Sequence, residues 1–229
     1  AFPVEVEISV SKGIPRLEIV GLADTAVQES RERIKSALHA CGIIFPTSNS
    51  VVNLAPANMR KNGSMHDLAI LLAILSALGR VQGPPDAAVI GEVSLNGDVR
   101  RVNGVLPMTL LAKQNGIRTM YVPAENAGEA AVVEGITVYG VPSAAALLEH
   151  LEGEKLLTEE PHTGIAQMEQ PIVPDFADVH GQNNAKYALE LAAAGGHNVL
   201  MSGSPGSGKT MMAKCMASIL PPLELQEAL

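Results

Sequence analysis

Apolar and polar residues alternate with a period of two over residues 4–10 (VEVEISV), and a second apolar-rich extended run covers residues 15–20 (PRLEIV), with Ser11, Lys12 and Gly13 between them. Two extended runs joined by a short polar turn predict a β-hairpin. From Asp24 or Thr25 the period becomes helical. Val27, Ile34, Ala37, Leu38 and Cys41 share one face, Glu29, Arg31, Glu32, Arg33 and Lys35 read as a mostly solvated one, and Gly42 ends the run. Residues 50–54 predict a strand leading to Pro56 and the loop APANMRKNGSMHD. The helix that follows, residues 67–78, is apolar almost all round, so it must be buried on most sides and is expected at the centre of its domain.

Residues 88–95 and 98–102 flank Asn96-Gly97, the signal for a two-residue type I′ hairpin. A helix over 105–114 stops at Asn115-Gly116; a strand over 118–122, a short helix, a strand over 136–139 and a helix over 143–151 complete the series. Hairpins mixed with helical crossovers in one unit, residues 1–151, imply an α/β or α+β domain. Residues 152–175 lose periodicity and gather Pro161, Pro171 and Pro174 among Glu159, Glu160 and Glu169, which reads as an interdomain linker. A second α/β domain is expected over 176–229, with a helix from His180 to Ala194 and a buried strand from Asn198 to Met201.

The strand runs into GSPGSGKT, where Gly203, Gly208, Lys209 and Thr210 satisfy G-x-x-x-x-G-K-[ST]. This is the pattern of a phosphate-binding loop. Its glycines, Gly206 included, let backbone N–H groups surround phosphate oxygens, and the next helix points its positive end at the same anion. The expected site comprises Gly203, Ser204, Pro205, Gly206, Ser207, Gly208, Lys209, Thr210 and Met211. Lys209 would reach the β- and γ-phosphates of ATP, and the Thr210 hydroxyl would join the coordination of Mg²⁺.

Composition narrows the remaining possibilities. A chain of 229 residues, 47% hydrophobic, can build one large or two modest cores. Its net charge of −8 supplies no overall basic field for nucleic acid or an anionic membrane, so any DNA contact must be local. Cys41 and Cys215 each sit in a helical pattern and read as buried free thiols, which fits a reducing, cytoplasmic compartment. The longest apolar run, 68–78, is too short to span a bilayer. Ala1 and Leu229 are expected to be cuts in a longer chain.

The run DVHGQNNAKYALELAAAGGHNVLMSGSPGSGKTMMAK, residues 178–214, resembles the start of the AAA+ module in magnesium-chelatase-like proteins. The segments IVGLADTAVQESRERIKSAL and VVNLAPANMRKNGSMHDLAI resemble the N-terminal domain of the YifB/ComM branch of that family. The likeness covers essentially the whole chain and implies a Lon-protease-like N-domain of the ribosomal-S5 domain-2 type ahead of an ATPase core. It also implies that Val179, His180 and Gly181 pack on adenine. Ser204 departs from the family's usual Pro, at a variable loop position. No acidic pair, sensor or arginine finger follows Thr210 within the chain, so this stretch alone is expected to turn over no ATP. The resemblance implies a homo-oligomeric (hexameric) ring working on DNA, as in branch migration during natural transformation. A metal-chelatase-type ATPase subunit, or an N-domain serving as a silent partner-binding module, are the alternatives.

A Lon-like domain raises the question of proteolysis, which needs a serine paired with a neutral lysine. Laid on the Lon-like pattern, the nucleophile position falls at Met65 and the lysine position at Leu106, with Ser64 one residue early and turned by about 100° on a helix. Ser64 is therefore expected to have neither Lys61 nor Lys113 as partner. His66 and Asp67 read as caps of the following helix. His39, His150, His162 and His197 show no metal-ligand spacing. Arg60, Lys61, Arg100 and Arg101 are the candidate DNA or partner contacts, weighed against a solvated loop and hairpin edge.

Overall fold

A computed structural model describes residues 1–45, 48–83, 86–163 and 174–221. The chain divides into two compact units, Ala1–Gly164 and Ile165–Leu229.

The first unit opens with a three-stranded sheet in the order β1-β3-β2, where β1 is Glu5–Ser11, β2 is Arg16–Val20 and β3 is Asn49–Ala55. The expected hairpin between the first two strands does not form. β3 lies between them, antiparallel to β1 with Ile8 opposite Val52, and parallel to β2 with Ile19 opposite Val52. The polar turn at Ser11–Gly13 reports only a reversal; which strand fills the middle is decided by the crossover through α1, Thr25–Ala40, which brings β3 back beside β2. Asp24 caps α1 by accepting from Val27 N at 2.9 Å. The buried stripe Val27, Ile34, Ala37 and Leu38 lies against Leu17, Ile19, Val52 and Leu54 in one core.

Helix α2, Asp67–Ala77, lies at the centre of that core, with Leu68, Ile70, Leu71, Ile74 and Leu75 buried. A second sheet follows, parallel throughout, in the order β4-β7-β8: Ala87–Val89, Thr119–Pro123 and Thr137–Val141. Its middle strand is buried on both faces. Tyr121 faces the first core, while Met120 and Val122 join Val105, Ala112, Ala127 and Val138 in a second. Helices α3 (Val105–Gln114), α4 (Ala127–Ala130) and α5 (Ala144–Glu152) flank it. The parallel and antiparallel sheets with intervening helices make this a mixed α/β fold.

The hairpin β5–β6, Glu92–Val93 with Val99–Arg100, forms around Asn96-Gly97. Its turn is not type I′, because Gly97 alone takes a positive φ (90°). Ser94 N donates to Asp98 O and Gly97 N to Ser94 O, which is a three-residue loop closed by a left-handed glycine. Within the stretch expected as a linker, Leu157 N donates to His150 Nδ1 at 3.0 Å and Glu160 N to Val138 O at 2.8 Å; residues 164–173 lie outside those described.

The second unit holds α6 (Asn183–Gly195), α7 (Lys209–Ile219) and a 3₁₀ turn, Phe176–Asp178, capped by Asp175. Phe176, Val179, Leu189, Met212 and Cys215 form its core. Helix α6 starts at Asn183 rather than His180, because Gly181 and Gln182 adopt left-handed φ values of 69° and 56° that a helix cannot contain. The expected strand at Asn198–Met201 is absent: no strand lies beside it among the described residues, and Val199 and Leu200 are exposed. An apolar β-former becomes a strand only when a neighbour takes up its backbone donors and acceptors.

Candidate functional site

The glycine-rich loop is built by backbone conformations that side chains resist. Gly206 and Gly208 take φ values of 79° and 82°, and α7 begins at Lys209 with no side chain capping its first turn. The amide N–H groups of that turn therefore remain available to an anion. Lys209 Nζ donates to Gly203 O at 2.8 Å, Ser204 O at 2.7 Å and Ser207 Oγ at 3.2 Å. The loop thus wraps around its own ammonium. Thr210 is exposed on the first turn of α7.

A cavity of about 420 Å³ adjoins the loop, lined by Val179, His180 and Gln182 on one side and Gly206, Gly208 and Met211 on the other. Three of the expected site residues, Val179, His180 and Met211, thus meet around one hollow with loop glycines. Gln182, which sequence reasoning passed over, lines it too. Its left-handed backbone is a tertiary feature, and a Gly-Gln dipeptide ahead of a helix was the available signal. Among the described residues no group of three or more His, Cys, Asp or Glu side chains could hold a metal ion. Thr210 remains a lone candidate ligand, of the kind that a metal shares with phosphate oxygens and water. A polyphosphate suits the loop's donors and its single fixed cation.

In the first unit, Ser64 Oγ hydrogen-bonds to a carboxylate oxygen of Glu92, whose other oxygen lies 3.9 Å from Arg100. Lys113 is exposed, and Lys61 is buried with its amine on Pro56 O. Lys61 was expected on a solvated basic loop. Instead its backbone pairs with Leu22 and Asp24, drawing the side chain inward. Arg60, Arg100 and Arg101 are exposed. Nor do His66 and Asp67 cap α2 through their side chains: no cap bond exists at His66, and the Asp67 carboxylate is buried against Ser30, Arg33 and Val93 N. Burial lowers the His66 pKa, with opposing pulls from Asp67 upward and Lys61 downward.

Residues 6–126 match the family model described as subunit ChlI of Mg-chelatase, and residues 175–229 match that described as magnesium chelatase, subunit ChlI. The chain belongs to the magnesium-chelatase-related YifB/ComM family. Over 99% of its length it is 37% identical to YifB of Escherichia coli and 34% identical to competence protein ComM of Haemophilus influenzae, covering 45% of each. It thus spans about half the length of these curated relatives. Over 127 residues, 52% of this chain and 16% of the other, it is 31% identical to Lon protease 1 of Myxococcus xanthus. The first unit of this YifB/ComM-family chain is therefore Lon-like. Among the described residues no helix is long and apolar enough to cross a membrane.

Proposed function

We propose that the second unit binds ATP with Mg²⁺ and belongs to an AAA+ motor of the ComM branch, a cytoplasmic homo-hexameric ring acting on DNA. The observation that carries this reading is the position of Lys209, whose ammonium sits inside a left-handed glycine loop at the uncapped start of an eleven-residue helix. The backbone N–H groups of the Gly203–Thr210 loop and the Lys209 ammonium would hold the phosphates, Thr210 would contribute to the metal, and Val179, His180 and Met211, which line the cavity, would flank the base with Gly181 next to them in the chain. Bound Mg²⁺ would neutralise charge on the phosphate oxygens. The chain's own part is to bind and orient the phosphates.

In this reading the Lon-like unit does no proteolysis, because the Ser64 hydroxyl is committed to a carboxylate and the neighbouring lysine is turned to Pro56. It serves as a partner- or DNA-binding module. Arg60, Arg100 and Arg101 are its exposed cations; Lys61 leaves the candidate set. A metal-chelatase-type ATPase subunit is the second reading, favoured by the description of the matching family models.

Titration of MgATP into the purified chain, followed by calorimetry, tests nucleotide binding; saturable heat is expected and its absence contradicts the reading. Fluorescence anisotropy of labelled DNA with the full-length protein tests the DNA part. The Arg60→Glu and Arg101→Glu variants are expected to weaken binding and lessen its salt dependence.

A further inference from the structure

The ammonium of Lys209 has three N–H donors, and each has an acceptor in the loop. Two are backbone carbonyls, Gly203 O at 2.8 Å and Ser204 O at 2.7 Å. These belong to the frame of the loop and can stay in place while the amine also meets an anion. The third acceptor is different in kind. Ser207 Oγ, at 3.2 Å the longest of the three, is a rotatable hydroxyl and the one side-chain partner. A phosphate oxygen that approaches the ammonium therefore competes with Ser207 and not with the carbonyls.

We propose that Ser207 is a positioning residue: its hydroxyl holds the third donor of Lys209 inside the loop and must release it when a polyphosphate binds. This rests on the nucleotide reading of the site. The local packing supports it. A Cβ at Gly203 would come within 3.3 Å of Ser207 Oγ and 4.0 Å of Lys209 Nζ, so glycine at 203 keeps open the space that lets hydroxyl and amine meet. Ser207 N in turn donates to Ser204 O at 3.3 Å, the same carbonyl that Lys209 uses, so the serine is anchored at the point where the amine is held. Charge-assisted bonds to phosphate are stronger than a bond to a neutral hydroxyl, so release favours the bound state but subtracts the lost bond from the affinity.

The test compares Ser207→Ala and Ser207→Thr with the natural chain. Calorimetric titration with MgATP and with inorganic tripolyphosphate should show Ser207→Ala binding both roughly two- to tenfold more tightly, the equivalent of one modest hydrogen bond. Ser207→Thr, which keeps the hydroxyl, should match the natural chain. Without nucleotide, acylation of Lys209 by a succinimidyl ester, followed by peptide mass and referred to exposed Lys214, should be faster in Ser207→Ala alone. A general loosening of structure would raise both lysines together. Unchanged or weaker binding in Ser207→Ala, or an unchanged Lys209-to-Lys214 ratio, would overturn the proposal. If the natural chain binds neither probe, the nucleotide reading falls, and the acylation ratio still decides whether Ser207 holds the amine.

Discussion

The carboxylate of Asp67, fully buried at the start of α2, receives two N–H bonds from the guanidinium of Arg33 on α1, at 2.8 Å from Nε and 3.1 Å from Nη2. Ser30 and the Val93 amide complete its shell, so one side chain ties two helices to the hairpin. The bond to Asp67 is the largest influence on Arg33 and raises its pKa, with burial acting against it. Asp67 is the fully buried partner, whereas the Arg33 side chain keeps 20% of its surface exposed, so losing Asp67 removes the tie between the helices without burying an unpaired charge. Asp67→Ala is expected to destabilise the first unit by about 1.5–3 kcal/mol, the worth of its lost hydrogen bonds to a charged group. Urea unfolding followed by circular dichroism measures it, and a loss below ~1 kcal/mol would show that the pair is not what joins the helices.

Ser64 makes its bond to Glu92 rather than to an amine. Casein should therefore remain uncut by the chain, and Ser64→Ala should change stability by about 1 kcal/mol while changing no cleavage rate. Cleavage that disappears in Ser64→Ala would overturn the non-proteolytic reading.

Gly21 takes a φ of 106°, and a Cβ there would meet Leu54 O at 2.2 Å. Backbone cannot yield as a side-chain tip can. Gly21→Ala should lower stability by ~2 kcal/mol or more, visible as a lower thermal midpoint. An unchanged midpoint would mean that β2 and β3 are not in close contact at this turn.

His150 packs against Tyr121 and Tyr139, accepts from Leu157 N at Nδ1 and lies 3.3 Å from Tyr121 Oη at Nε2. Burial lowers its pKa, as it does that of His66. The unfolded chain then takes up protons first as the pH falls. The stability held by the neutral rings is full above about pH 6.5 and declines below it, toward the folded-state values. Thermal midpoints should fall between about pH 7.5 and pH 5.5, with a shallower slope in His150→Gln. An equal slope would remove His150 from the account.

Features encoded locally were legible in the sequence. Helix α2 announced its burial by being apolar all round, α3 was bounded as observed, and the glycine loop carried its own pattern. What needed long-range partners was not. Arg33 lies on a helical stretch rich in charge and reads as solvated until Asp67, 34 residues away, is placed beside it. Lys61 sits in a basic loop by composition, yet backbone pairing with Leu22 and Asp24 pulls it inside. The order β1-β3-β2 depends on where α1 returns the chain, which no turn signal states. Around the glycine loop, Gln182 shares a cavity with Gly206 only because two left-handed residues delay α6.

The Lys209 ammonium is the one cation held within the glycine loop, on Gly203 O and Ser204 O, and in the proposed site it would meet the phosphates, so Lys209→Ala in calorimetric titration with MgATP tests the central claim most directly. The account predicts that the natural chain binds and that the variant, with an unchanged circular dichroism spectrum, loses binding by a hundredfold or more, roughly the worth of one strong charge-assisted contact of ~3 kcal/mol. Equal affinity in the two proteins would contradict it.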